Sequence, residues 1–160
     1  MTVIYRRSGA GDVPHVCSFW REHWGDDFMV AHGVIYRPEQ LDGFIALDGD
    51  QWVGLVTYTF IDSGCEIVSL DSLRAGQGIG SRLIQDVVDV ARRAGCKRVF
   101  LITTNDNLEA LGFYQKRGFS LVKVSRGAVG EARKIKPGIP LIGLHGILLR
   151  DEIELEMPLK

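Results

Sequence analysis

The chain is short of cysteine, of net charge and of long apolar runs, and each shortage narrows what it can be. Its three cysteines, Cys17, Cys65 and Cys96, are odd in number and widely separated. That spacing argues against a disulfide framework and against the paired ligands of a zinc site. Reduced thiols in a cytoplasmic protein, with no metal, are the expectation. Lysine plus arginine number 19 and aspartate plus glutamate 20, a net charge of −1. Affinity for nucleic acid comes mainly from neutralising many phosphates, so no nucleic-acid partner is expected. The longest weakly polar stretch, residues 139–149, is interrupted by Pro140, two glycines and His145. It falls well short of the ~20 apolar residues that span a bilayer. The amino-terminal residues Met1 to Arg7 place their charges after a short apolar run, unlike a secretory signal. No membrane partner is expected.

What is present fits one globular domain over residues 1–160, of which 46% are hydrophobic and 24% charged. Glycine is the one excess, 19 residues, which points to tight turns or close backbone approaches. Residues 3–6 read as a first strand, and Asp12 is placed to cap a helix over 13–24. Residues 28–42 are ambiguous, with a second helix expected after Arg37-Pro38-Glu39. Residues 43–47 and 51–61 flank Asp48-Gly49-Asp50, a strong hairpin signal. A second hairpin joins 58–61 to 66–70 across Asp62-Ser63-Gly64.

From residue 80 to 94 the period changes. Leu83, Val87, Val90, Ala91 and Ala94 recur every three or four positions, an amphipathic helix that Gly95 ends. Residues 99–102 form a continuous apolar run, as in a strand covered on both faces. A short helix follows, with Asp106-x-x-Glu109 as its capping box and Gly118 as its stop. Residues 119–124 and 152–157 read as closing strands, with a short helix over 127–134 and a loop over 136–150 between them. Hairpins combined with a strand–helix–strand crossover define an α/β class with a mixed sheet.

The segment most informative about chemistry runs from Glu66 to Leu83: strand, glycine-rich turn, helix. Glycines let the main chain approach a ligand, and the unpaired N–H groups at a helix start attract phosphate oxygens. An ATP or GTP loop would need Gly-Lys-Ser/Thr, and this turn contains no lysine. A dinucleotide fingerprint would need G-x-G-x-x-G, whereas Gly76, Gly78 and Gly80 are spaced G-x-G-x-G. A coenzyme A pyrophosphate fits best.

This run, followed by Thr103 to Phe119, resembles the GNAT superfamily of N-acetyltransferases. Against the first family motif, R/Q-x-x-G-x-G/A, Gly78 and Gly80 match, Ala75 stands in the R/Q position and Arg74 precedes it by one. The second motif, Asn107-x-x-Ala110-x-x-x-Tyr114-x-x-x-Gly118-Phe119, matches throughout. The resemblance implies a mixed, mostly antiparallel sheet of about seven strands with about four helices. It implies acetyl-CoA as cosubstrate, an amine acceptor attacked directly within a ternary complex, and leaves a homodimer open. The acetyl-CoA site would comprise Leu70, Asp71, Ser72, Ala75, Gly76, Gln77, Gly78, Ile79, Gly80, Ser81, Asn107 and Tyr114. Within it, backbone groups of Leu70, Asp71 and Ser72 would pair with the pantetheine arm, and Asn107 would meet that arm or simply cap its helix. Arg74, Arg82, Lys116 and Arg117 are candidates for the adenosine 3′-phosphate.

Two catalytic residues are implied. Tyr114 matches the tyrosine that donates a proton to the coenzyme sulfur, and Glu66 aligns with the general base of the histone-acetylating branch. Strand alternation puts Glu66, Val68 and Leu70 on one face. The acceptor would lie among Trp20, Trp24, Asp26, Asp27, Phe28, His32 and the 139–150 segment, with His32 and His145 as lesser catalytic candidates. The rival functions are a non-catalytic acyl-CoA-binding regulatory module, against which Tyr114 speaks, and a nicotinamide-dependent enzyme, against which the glycine spacing speaks.

Overall fold

The computed structural model describes residues 2–160. A seven-stranded sheet runs in the order β1 (Ile4–Arg7), β4 (Asp42–Asp48), β5 (Gln51–Ile61), β6 (Gly64–Ser72), β7 (Arg98–Thr104), β9 (Glu152–Pro158), β8 (Ser120–Ser125). All its neighbours are antiparallel except β6 and β7. Helix α2 (Ile79–Arg93) makes the β6–β7 crossover, which a parallel pair requires. Helix α1 (Val13–Trp24) follows β1, α3 (Leu108–Lys116) follows β7, and α4 (Ala128–Ile135) follows β8. No helix among the described residues is long and apolar enough to cross a membrane.

The expected period of α2 holds as far as Ala91: Leu83, Val87, Val90 and Ala91 are buried, with Asp86, Asp89, Arg92 and Arg93 between them on the less buried side, whereas Ala94 is the exposed C-cap residue. Its inner face joins Val53, Val56, Ile67, Val99, Leu101, Tyr114 and Leu155 in the larger core. On the opposite face of the sheet, Val16, Phe19 and Trp20 of α1 pack with Ile45, Trp52, Leu55 and Val68. The three cysteines are free thiols, Cys65 buried.

Four local expectations are corrected. Residues 28–42 contain no α-helix; β2 (Met29–Ala31) and β3 (Val34–Tyr36) pair as a hairpin, and Pro38–Gln40 is a single 3₁₀ turn. The two-residue turn is His32-Gly33, with φ of 40° and 79°, the left-handed pair that matches strand twist. Asp12 occupies the N-cap position of α1, but its side chain makes no capping hydrogen bond. Its carboxylate instead accepts the Gly9 N–H at 2.8 Å and both Arg6 nitrogens at 2.9 Å, which holds its pKa down at about 2. The third correction concerns α3, whose cap is Asn107, Oδ1 accepting Ala110 N–H at 3.2 Å. Asp106 is buried and accepts the Thr104 hydroxyl at 2.6 Å and Leu144 N–H at 2.9 Å, which pins the 141–149 loop. Finally, Leu70 does not share a face with Glu66. The β5–β6 register shifts between Thr57 and Tyr58, leaving Val68 as an extra residue. The bulge turns Leu70 toward the larger core and Asp71 toward Trp24.

Candidate active site

The parallel pairing of β6 with β7 runs only from Gly64↔Arg98 to Ile67↔Leu101. Beyond it both strands continue, β6 held by β5 and β7 by β9, so they diverge into a wedge. Backbone N–H and C=O groups of Leu70–Ser72 that point away from β5 face this opening without a strand partner. The wedge leads into a cavity of about 400 Å³. Val68 and Ile102–Thr104 form its floor; Trp24, Asp26, Met29–Ala31, Asn107, Lys136, Leu144 and Glu152 are among its walls.

At the far end of β6 the chain turns into α2 through Gly76 and Gly78, both with positive φ. Gly78 is the residue before the helix at φ 72°, and a Cβ built there would point into open space. The first helical bond runs from Arg82 N–H to Gly78 O, so the amides of Ile79, Gly80 and Ser81 point out of the helix end. Ile79 contributes only that amide, because its side chain is buried in the core. Gly80 has a separate reason to lack a side chain: a Cβ would stand 2.9 Å from the Phe113 ring. Ala75 and Gln77 are exposed along the turn.

The cationic candidates separate. Arg74 is drawn away by Asp48 at 2.8 Å, and Arg82 by Asp86 at 3.1 Å. Arg117 lies at the cradle. Its Nε donates to Ser81 Oγ at 2.7 Å and its guanidinium stacks 3.6 Å from the Phe113 centroid. Lys116 is exposed at the end of α3.

Tyr114 is buried on α3, edge-on to Phe113 and Phe119 at 5.3 and 5.4 Å between centroids. Burial, then the nearby Asp71 charge, pushes its phenol above the ordinary value. Asp71 itself accepts Trp24 Nε1–H at 3.0 Å, and burial raises its carboxyl despite that bond. Asn107 lines the cavity, but its oxygen is committed to the cap.

Glu66 is 1% exposed and does not open onto the cavity directly. Tyr36 Oη–H donates to its Oε1 at 2.5 Å, and His32 Nε2 lies 2.9 and 3.0 Å from its two oxygens. The His32 backbone N–H donates to Glu152 Oε1 at 3.0 Å, and burial raises the Glu152 carboxyl. Sequence reasoning named His32 and Glu66 but not Tyr36 or Glu152. The available signal was the His-Gly turn, which would have folded residues 29–36 back as a hairpin over the sheet.

Of the other acceptor-side candidates, Trp24 and Asp26 line the cavity, whereas Trp20 is fully buried in the core. Asp27 is paired with Arg21 at 2.9 Å, and His145 with Glu109 at 2.7 Å, both near the surface.

The Acetyltransferase (GNAT) family profile matches residues 14–119. The chain belongs to that family. The Bacillus subtilis uncharacterized protein YdhI is 46% identical over 136 residues, 84% of this chain and 85% of its own. An IAA acetyltransferase from Bacillus cereus superposes with a TM-score of 0.75 at 20% identity, covering 99% of this chain and 100% of that one. A GNAT acetyltransferase from Elizabethkingia anophelis with acetyl-CoA bound gives 0.71 at 22% identity, covering 98% of each. At those identities the likeness to the two solved structures is one of fold.

Proposed function

We propose that this protein transfers the acetyl group of acetyl-CoA to an amine by direct attack in a ternary complex. The observation that carries this reading is the wedge between β6 and β7, which opens beyond Ile67 and Leu101 beside a cavity lined by Val68 and Ile102–Thr104, with the α2 amides following the end of β6. An extended amide arm is suited to the unpaired edge of Leu70–Ser72, and a pyrophosphate to first-turn amides with Arg117 alongside. The relative from Elizabethkingia anophelis, solved with acetyl-CoA, supports the same ligand. Three free thiols suit a reducing compartment, the cytoplasm.

Tyr114 has the chemistry of the acid. Its raised phenol stays protonated at neutral pH and can donate to sulfur as the C–S bond breaks. Desolvation also raises the pKa of a thiol in the same surroundings, which keeps transfer from phenol to thiolate feasible. On the acceptor side, Glu152 and Asp26 line the cavity and supply negative charge for an ammonium group.

The test is a panel of small amines and amino-terminal peptides with acetyl-CoA, read by free-thiol release. Amine-dependent release with a matching acetylated product is expected. Tight acetyl-CoA binding without release under any amine would instead indicate a regulatory binding module. The cradle has its own test. Gly78→Val forces a β-branched residue into the left-handed region, at a cost of ~1–2 kcal/mol, and puts methyl groups where the pyrophosphate would approach. A folded protein with acetyl-CoA affinity weakened at least ~10-fold, about 1.4 kcal/mol, is expected from calorimetry. Unchanged affinity would move the pyrophosphate elsewhere. Gly80 is a poor substitute in this experiment, because Phe113 makes it a packing position.

A further inference from the structure

Glu66 is sealed from the cavity by two residues of the β2–β3 hairpin. Tyr36 Oη–H and His32 Nε2 both meet its carboxylate, and Tyr36 Oη is also 3.1 Å from His32 Nε2. An ionised carboxylate only accepts hydrogen bonds, so the nitrogen facing it, Nε2, carries a hydrogen. The lone pair of a neutral His32 ring is then on Nδ1, which has no hydrogen-bond partner among the described residues. Unlike Glu66, the His32 side chain is 33% exposed. It stands at the hairpin turn directly after Ala31, which lines the cavity; the imidazole itself is not part of that lining but borders it, and the His32 backbone is tied to Glu152, which is part of it.

We propose that His32 Nδ1, rather than Glu66, takes the proton from the acceptor ammonium, and that Glu66 is a positioning residue that fixes the Nε2–H tautomer and steadies the imidazolium. This rests on the acetyl-transfer reading given above. The ammonium gives one proton to Nδ1, and the nitrogen lone pair so freed forms the C–N bond at the thioester carbonyl carbon. The C–S bond breaks, its electron pair leaves on sulfur, and sulfur takes a proton from Tyr114. The second proton lost by the nitrogen restores Tyr114, and the proton on His32 passes to solvent. An ammonium and a thioester thus become an amide, a thiol and one released proton.

The groups facing the imidazole are Glu66 from β6, Tyr36 from β3, and Glu152 and Glu154 from β9. The hydrogen bond to Glu66 is the largest influence and raises the imidazole pKa, partly opposed by desolvation. A base works only in its neutral form, so the rate rises with pH through that elevated value. Removing the Glu66 charge lowers the imidazole pKa and moves the acidic limb to lower pH.

The experiment combines histidine ring NMR titrations with single-turnover acetyl transfer to an amine found in the panel. His32→Gln identifies the His32 resonance by its disappearance; it should slow transfer ~10²–10⁴-fold with acetyl-CoA affinity unchanged. Glu66→Gln should lower the His32 titration midpoint by about one unit, tenfold in proton affinity, and shift the acidic limb with it. Tyr36→Phe should do so less. An active wild type with His32→Gln at full rate, or an unmoved His32 titration in folded Glu66→Gln, overturns the relay alone. A wild type that releases no thiol with any amine overturns the acetyl-transfer reading, and the relay with it. Should His32→Gln fail to fold, His32→Asn carries the same comparison.

Discussion

Tyr114→Phe is expected to slow acetyl transfer ~10²–10⁴-fold while leaving fold and acetyl-CoA affinity nearly unchanged. The substitution removes one oxygen and keeps the ring between Phe113 and Phe119, so little packing is lost. What disappears is the proposed donor to sulfur, which matters as the C–S bond breaks; the loss should fall on turnover rather than on the Michaelis constant for acetyl-CoA. Product release can hide such an effect in the steady state, so single-turnover kinetics is the measurement of choice. Burial and Asp71 hold the phenol above its ordinary value, so Tyr114 should place no basic limb on the wild-type profile below pH ~10. Near-normal single-turnover rates in a folded Tyr114→Phe protein would reduce this tyrosine to a packing residue.

The largest effect on stability is expected from Leu83→Ala. Leu83 is fully buried in the α2–sheet interface, where Gly54 of β5 allows the helix to come close. Its Cδ1 is 3.1 Å from where a Gly54 Cβ would stand. Truncation removes apolar contacts and leaves a void that two rigid elements cannot collapse, a cost of ~2–5 kcal/mol. Against a typical total of ~5–15 kcal/mol, that is a substantial share. The urea midpoint should fall with an unchanged slope. Because the proposed cradle is the amino terminus of the same helix, acetyl-CoA at 100 times its dissociation constant should return ~2.7 kcal/mol by mass action. A loss under ~1 kcal/mol would mean that α2 repacks, contrary to the rigid interface described.

The amphipathic helix at α2, the two long hairpin strands and the buried strand β7 were legible because each is written in a local period. Leu83, Val87, Val90 and Ala91 repeat at helical spacing, and that spacing fixes which side faces the sheet. The reading failed where a local signal had a competitor. Asp106 precedes α3 at capping-box spacing, yet Asn107 takes the cap, because Asp106 is drawn into holding Thr104 and the Leu144 amide. Leu70 was assigned by strict alternation, and the bulge at Val68, visible only once β6 is registered against β5, reversed it.

By itself, the sequence determined the order of elements from residue 43 onward and the glycine turn into α2. These follow from hydrophobic period and from backbone preferences of nearby residues, which act over a few positions. The tertiary structure alone decided that Glu66 lies beneath His32 and Tyr36 and that Asp71 meets Trp24. Those partners lie 30, 34 and 47 positions apart. Only the docking of the hairpin and α1 on the sheet brings their charges and hydrogen bonds within reach.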